Sequence, residues 1–427
     1  MGAYPSRVKW SHQPIVGVRG GRGVVAVRGR VVRWEGTYGV VADESGQLEI
    51  SMGVHGGGIA AGDIVELTGE MQADKLIVHD LQILAAGRAD WDVGDWLRFN
   101  RSDEILKERL RLRGAIFEAI RAFFSQGRFR EVETPVLVAA AAPETHIDLF
   151  ATTFKGEKSS MSLFLAPSPE LYMKRLLGIG MERIYQLGRS FRNGEVSALH
   201  QPEFVMLEWY RAYASYEEII EDVENLVAFV AERVLGAQSF VRQGRDIDLT
   251  PPWERISVYR AFLRWADIDL SVCTEADSLY RRASALELGS ARPEDSWETL
   301  FHKILLDKVE PELAKIGAVH LVDYPSQLAA LAKLKEDRPD LAERAEAYVA
   351  GVELSNGYTE LNDPQEQRRR FVEEAKMGQA PLDEAFLMAM DQGFPPAGGV
   401  ALGVDRLVLL LTGADHLDEV VAFPLGY

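Results

Sequence analysis

A single cysteine, Cys273, in 427 residues leaves no disulfide framework and no cysteine-built zinc site. So few thiols fit a reducing cytoplasm. Long apolar runs are also missing. The longest uncharged apolar stretch, Val136 to Pro143, falls far short of the ~20 residues that cross a bilayer, so no membrane span is expected. Met1 to Pro14 carries Arg7 and Lys9 but lacks the apolar core of a secretory signal. Gly2 with Ser6 fits the myristoylation pattern, one short enough to arise often by chance. No internal repeat or low-complexity tract is evident.

What is present is ordinary globular composition, 47% hydrophobic and 26% charged, in a chain long enough for two or three domains. The net charge of −18 argues against sequence-blind nucleic-acid binding over the whole surface. That charge is uneven, since residues 1–33 hold seven Lys and Arg and no acid.

Residues 1–22 read as a basic segment, with Gly17 to Gly23 as a flexible loop. Short β-rich runs follow at Val24–Trp34, Tyr38–Ala42, Gln47–Met52, Asp63–Met71 and Lys75–Leu84, punctuated at Asp43–Gly46 and Gln72–Asp74. Five such strands suit a small OB-like barrel over 23–88, a fold whose face can bind oligonucleotides. Arg28 and Arg30 share strand parity, but Trp34 and Tyr38 are the only aromatics there for base stacking. A polar linker, 89–102, leads to a domain over 103–427. Its opening helix, Asp103–Gln126, has two apolar stripes and stops at Gly127. Helices expected at Tyr216–Leu235, capped by Ser215, and at Gln327–Glu346 alternate with strands, so the class is α+β.

Three stretches carry candidate chemistry. A hairpin, Arg183–Asn193 with Glu203–Tyr213, places Phe204, Met206, Glu208 and Tyr210 on one face by period two, beside Arg192. Arginine forks onto phosphate and an aromatic ring stacks on a base, so this face suits a nucleotide. Along Gly398–Arg406, Gly399, Ala401 and Gly403 alternate with Val400, Leu402 and Val404, leaving one strand face without bulk, as where a ligand lies close. Asp405 suits a helix cap after it. Third, a turn near Val349–Gly351 would bring Glu346 and Glu353 nearly opposite across two strands, a pair that needs solvation or a hard cation such as Mg²⁺. Glu360 has the opposite parity to Glu353, so a bulge at Asn356-Gly357 would be needed for both to face one site.

Together these stretches resemble a known family. Gly127-Arg128-Phe129 through Glu133-Thr134-Pro135, Ser190-Phe191-Arg192-Asn193 with His200-Gln201-Pro202-Glu203-Phe204, and Gly403-Val404-Asp405-Arg406 resemble motifs 1, 2 and 3 of class II aminoacyl-tRNA synthetases, lysyl branch. Ser168 to Arg175, Met206 to Arg211, Gly351 to Gly357 and Gly399 to Gly403 look most like the paralogues that attach (R)-β-lysine to elongation factor P. The likeness implies an antiparallel sheet flanked by helices, a homodimer through motif 1, and ATP-driven activation of lysine or β-lysine as an adenylate. By motif position Arg192 would clamp the α-phosphate, Phe204 and Arg406 would sandwich adenine, and Asn193, His200, Gln201, Glu353, Leu354 and Gly403 would complete the ATP site. Arg192 and Arg406 would be the catalytic pair. Glu346 and Glu353 would hold Mg²⁺. Ser168 and Glu170 would take the substrate's amino end, Asn356 its carboxylate, and Tyr210 with Glu360 its terminal ammonium. Ala401 stands where tRNA synthetases of this branch generally carry glycine, which favours a β-amino isomer.

Two departures accompany the likeness: Gly194 replaces the motif 2 glutamate, with Glu195 one place later, and Gln201 replaces asparagine. Elongation factor P is the acceptor expected first. The alternative is tRNA, with the barrel as its binding module. A ligand-binding paralogue without activation is a third possibility, kept open by Gly194.

Overall fold

The computed structural model describes residues 13–21, 23–52, 58–88, 92, 98–99, 105–143, 147–157, 159–375 and 381–425. The expectations for Gly2 and Ser6, for most of the linker 89–102 and for a helix start at Asp103 lie outside these. The chain divides into two compact units, Met1–Glu108 and Arg109–Tyr427.

In the first unit, β1 (Gly23–Glu35), β2 (Tyr38–Asp43), β3 (Gly46–Met52), β4 (Ile64–Gln72) and β5 (Lys75–Ala85) close a barrel in the order β1-β2-β3-β5-β4. Its alternating apolar positions, Val27, Val31, Val41, Leu48, Ile50, Val65, Leu67 and Leu76, meet inside. The glycine-rich loop is partly corrected: Ile15–Val18 forms a helical turn that includes Gly17, because Ile15 and Val18 bury in the barrel core. Arg28 pairs with Glu66, and Arg30 donates to the Gly62 carbonyl at 2.7 Å.

The second unit is built on an eight-stranded sheet. Its strands are β6 (Arg130–Glu131), β7 (Arg183–Phe191), β8 (Glu203–Ala212), β9 (Glu254–Ser257), β10 (Ala318–Pro325), β11 (Leu341–Val349), β12 (Val352–Thr359) and β13 (Ala397–Gly403), in the order β9-β10-β11-β12-β13-β8-β7-β6. Pairing is antiparallel except at the two ends, β9/β10 and β7/β6. One face packs against helices α1 (Ile105–Gln126), α3 (Tyr216–Leu235) and α4 (Val404–Leu411), with Trp209, Leu207, Val400 and Leu402 meeting Phe124, Ile219, Val223 and Leu407. Ser215 caps α3 in a reciprocal capping box with Glu218, and Gly236 ends the helix in a left-handed conformation. Helix α2 (Glu170–Gly178) lies beside β8.

Three expectations change here. Gln327–Glu346 is not a helix. Ser326–Leu328 is a single 3₁₀ turn, and from Leu341 the chain is β11, a central strand with neighbours on both sides. Pairing and burial of Leu341, Ala342, Ala345 and Ala347 override the helix-forming composition of the segment. Asp405 is not the cap of α4 but its second residue. Buried, it accepts from the Val205 amide at 2.8 Å and pairs with Arg113. Glu346 faces Asn356 rather than Glu353, because a bulge at Leu354 shifts the register and sets Glu353 opposite Tyr348. That same bulge, two residues earlier than the one expected at Asn356-Gly357, puts Glu353 and Asn356 on one sheet face.

Candidate active site

The sheet register aligns the functional positions in rows. Glu208, Ala401, Asn356 and Glu346 are successive neighbours across β8, β13, β12 and β11, and Tyr210, Gly399, Tyr358 and Arg344 form the adjacent row. Two cavities open along this face. The first, about 200 Å³, is lined by Ser168, Glu170, Glu208, Tyr210, Tyr358 and Gly399. The second, about 330 Å³, is lined by Glu195, His200, Gln201, Phe204, Glu353 and Arg406, with Leu354 and Gly403. Arg192, Met206, Asn356 and Ala401 line both. The Nε of Arg192 is buried there without a hydrogen-bond partner, and its guanidinium stands 5.4 Å from the Phe204 ring. An unpartnered guanidinium nitrogen between two cavities is a ready anion donor.

The first cavity is strongly acidic. Glu208 accepts from Ser168 Oγ at 2.6 Å and from Tyr210 Oη at 2.9 Å. Burial, reinforced by Glu170, pushes its carboxyl up to about 8 despite those donors. Below it Lys174, fully buried, bridges Glu170 at 2.6 Å and Glu360 at 2.5 Å, while Tyr358 donates to Glu170. Glu360 therefore sits beneath the cavity rather than lining it. Its Oε1 is buried without a hydrogen bond, and burial raises its carboxyl to about 8 even beside the lysine. Gly399 is bare because Tyr210 and Glu360 occupy the place of its missing Cβ.

In the second cavity Arg406 donates to the Glu353 carbonyl at 2.7 Å and to its carboxylate at 3.2 Å, and its Nη2 meets His200 Nε2 at 2.9 Å. Burial and the Arg406 charge lower the His200 pKa, so the ring is neutral at pH 7 and Nε2 accepts. Gln201 donates to Asp418 at 3.1 Å. Asn193 is exposed, its amide bound to the Asp148 carbonyl, and lines neither cavity. Gly194 takes a left-handed φ of 78°, and Glu195, one place after it, lines the second cavity.

The expected glutamate pair is balanced by arginines. Glu346 lies outside both cavities, held by Arg344 at 2.8 Å and Tyr348 at 2.9 Å, whereas Glu353 is accessible in the second cavity. Glu310, at the end of a π-helical turn, joins them: burial first, then Glu353 and Glu346, push its carboxyl up to about 7. Among the described residues no three His, Cys, Asp or Glu form a self-sufficient metal cage. Mg²⁺ ordinarily binds one or two carboxylates plus phosphate oxygens, so this crowded set of hard donors fits it. Lys174, Tyr358, Arg344 and Glu310 received no role from sequence, and Glu208, read there as part of a nucleotide-facing surface, instead lines the acidic first cavity. Each has a visible signal except Glu310: Lys174 lies one helical turn after Glu170, and Arg344 and Tyr358 lie two residues from Glu346 and Asn356.

One face of the antiparallel sheet thus carries an acidic cavity joined to a second cavity rimmed by Arg192 and Arg406. Residues 95–426 match the family model for class II tRNA synthetases (D, K and N). The chain belongs to this family, whose members are ATP-dependent ligases. It is 39% identical over 333 residues to a lysine–tRNA ligase of Pelotomaculum thermopropionicum, covering 75% of this chain but only 64% of that protein. It is 35% identical to the lysine–tRNA ligases of Carboxydothermus hydrogenoformans and a Roseiflexus species, each match covering 94% of this chain and 88% of the relative.

Proposed function

We propose that the protein activates lysine with ATP and transfers the aminoacyl group to tRNA. The observation that carries this reading is the shared lining of the two cavities: Arg192 and Asn356 stand where the acid cavity opens into the nucleotide cavity. In this reading the substrate's two ammonium groups meet the first cavity, Glu170 with Ser168 at one end and Tyr210 with Glu208 at the other, with Glu360 beneath them. A neutral side chain would leave Glu208, whose partners Ser168 and Tyr210 are neutral hydroxyls, without a cation, which disfavours it. Asn356 holds the substrate carboxylate at the junction. ATP lies in the second cavity with adenine between Phe204 and Arg406, bordered by His200, Gln201, Leu354 and Gly403, and its α-phosphate faces Arg192.

A carboxylate oxygen then attacks the α-phosphorus, the bond to pyrophosphate breaks, and an acceptor nucleophile later displaces AMP from the carbonyl. The protein orients the reactants and neutralises charge, with no covalent enzyme intermediate. Mg²⁺ on Glu353, with Glu346 behind it, would supply further neutralisation of the phosphates.

As acceptor, tRNA is supported by the relatives above, whose longer matches run through the barrel, and by that barrel's suitability for oligonucleotides. The elongation factor P reading receives no such support. The test is incubation with ATP, Mg²⁺ and lysine, offering tRNA(Lys) or elongation factor P. Charged tRNA is expected. A mass gain on the protein acceptor without charged tRNA would overturn the choice.

A further inference from the structure

Asn356 occupies the junction of both cavities, yet an asparagine amide reads a carboxylate only if its NH₂ end faces it. The two ends are nearly isosteric, so orientation is decided by what surrounds them. On the far side of Asn356 stands Arg344, a β11 residue one row away in the register. Its Nε donates to Asn356 Oδ1 at 3.0 Å, its Nη2 to Glu346 Oε1 at 2.8 Å and its Nη1 to the Leu328 carbonyl at 2.6 Å. The guanidinium also lies 4.6 Å from the Tyr324 ring. A guanidinium has donors only, so the amide atom facing it must be the oxygen. The amide NH₂ then projects toward the shared wall of the cavities.

We propose that Arg344 is a positioning residue that fixes the Asn356 amide with its donor end toward the substrate carboxylate. This rests on the lysine-binding reading above and goes beyond it in naming what sets the polarity of the site. Without Arg344 the amide is free to flip, and its oxygen would then face a carboxylate and repel it. The same fork ties the amide to Glu346, so the carboxylate reader and the crowded glutamates share one rigid connection. Lysine at 344 would keep a charge for Glu346 but could not reproduce a planar fork reaching three acceptors.

The test is calorimetric binding of lysine and of lysinamide, which lacks the carboxylate, to the full-length protein without ATP or Mg²⁺. Arg344→Lys, Asn356→Ala and the double variant are compared after thermal melts establish folding. Each single variant is expected to weaken lysine at least tenfold while changing lysinamide less than twofold. The double variant is expected to bind lysine no more than twofold weaker than Asn356→Ala, because Arg344 acts through that amide. Lysine affinity of Arg344→Lys within twofold of wild type, equal losses for both ligands, or multiplicative losses in the double variant would each overturn the inference. Asn356→Asp provides the check if Arg344→Lys does not fold: it still accepts from Arg344 but has no donor. It must lose lysine at least as severely as Asn356→Ala, and wild-type affinity in it would refute the assigned polarity. Wild-type protein that fails to bind lysine would instead sink the substrate reading itself.

Discussion

Glu208 shows how far a residue's chemistry can depend on its cover. Its place on the same strand face as Phe204, Met206 and Tyr210 was legible from period two, but the burial that raises its carboxyl to about 8 and its contacts with Ser168 and Glu170 are non-local, and no local pattern reveals them. A carboxyl raised in the folded state holds its proton after the unfolded chain has released one. The fold therefore loses stability as pH climbs from about 4.5 to about 8, and the penalty is complete above that. Glu208→Gln is expected to melt several degrees above wild type at pH 8.5, with little difference at pH 4, and to lose lysine binding. An equal shift at both pH values in thermal scans would show that the charge is not the cause. At the second cavity, Arg406→Ala should abolish adenylate formation, because it removes a contact to both Glu353 and His200 along with the proposed adenine cover. Intact turnover in a pyrophosphate-release assay would refute that role. Ala401 lies on the wall common to both cavities, where in the proposed reading its methyl would face the reacting end of the substrate. Ala401→Gly should raise α-lysine use relative to β-lysine by about 1–3 kcal/mol in competing exchange assays, and an unchanged ratio would exclude the methyl as selector.

At the level of elements, what sequence showed well was what is locally encoded. The hairpin β7/β8, the small-residue strand β13 and the capped helix α3 each carry a periodicity or a capping signal that burial then reinforces. Ser215→Ala should cost about 1 kcal/mol by removing one half of the capping box, seen as a lower denaturant midpoint with unchanged slope. A midpoint equal to wild type would mean the end of α3 is held by packing alone. Non-local features were hidden. β11 looked helical because Ala, Leu, Lys and Glu dominate 327–346, and only its partners on both sides make it a strand. The Leu354 bulge was equally invisible: parity showed that Glu353 and Glu360 could share a face only through a bulge, but placed that bulge at Asn356-Gly357. Arg344 was overlooked because its importance lies in three contacts from three different segments.

For the molecule as a whole, the change of hydrophobic period marked an all-β region followed by an α+β one, and both architectures are present. No helix among the described residues is long and apolar enough to cross a membrane. The acidic net charge does not oppose a nucleic-acid acceptor, which needs only a local basic surface. In the proposed reading the two cavities form one reaction site, with an amino-acid carboxylate and the α-phosphate of ATP meeting at Arg192 and Asn356. Exchange of labelled pyrophosphate into ATP, measured with the full-length protein before any acceptor is added, tests it most directly. Exchange that requires both lysine and Mg²⁺ and is lost in Arg192→Ala is the predicted result. Protein that binds lysine and ATP separately, yet exchanges no label with both present, would contradict it.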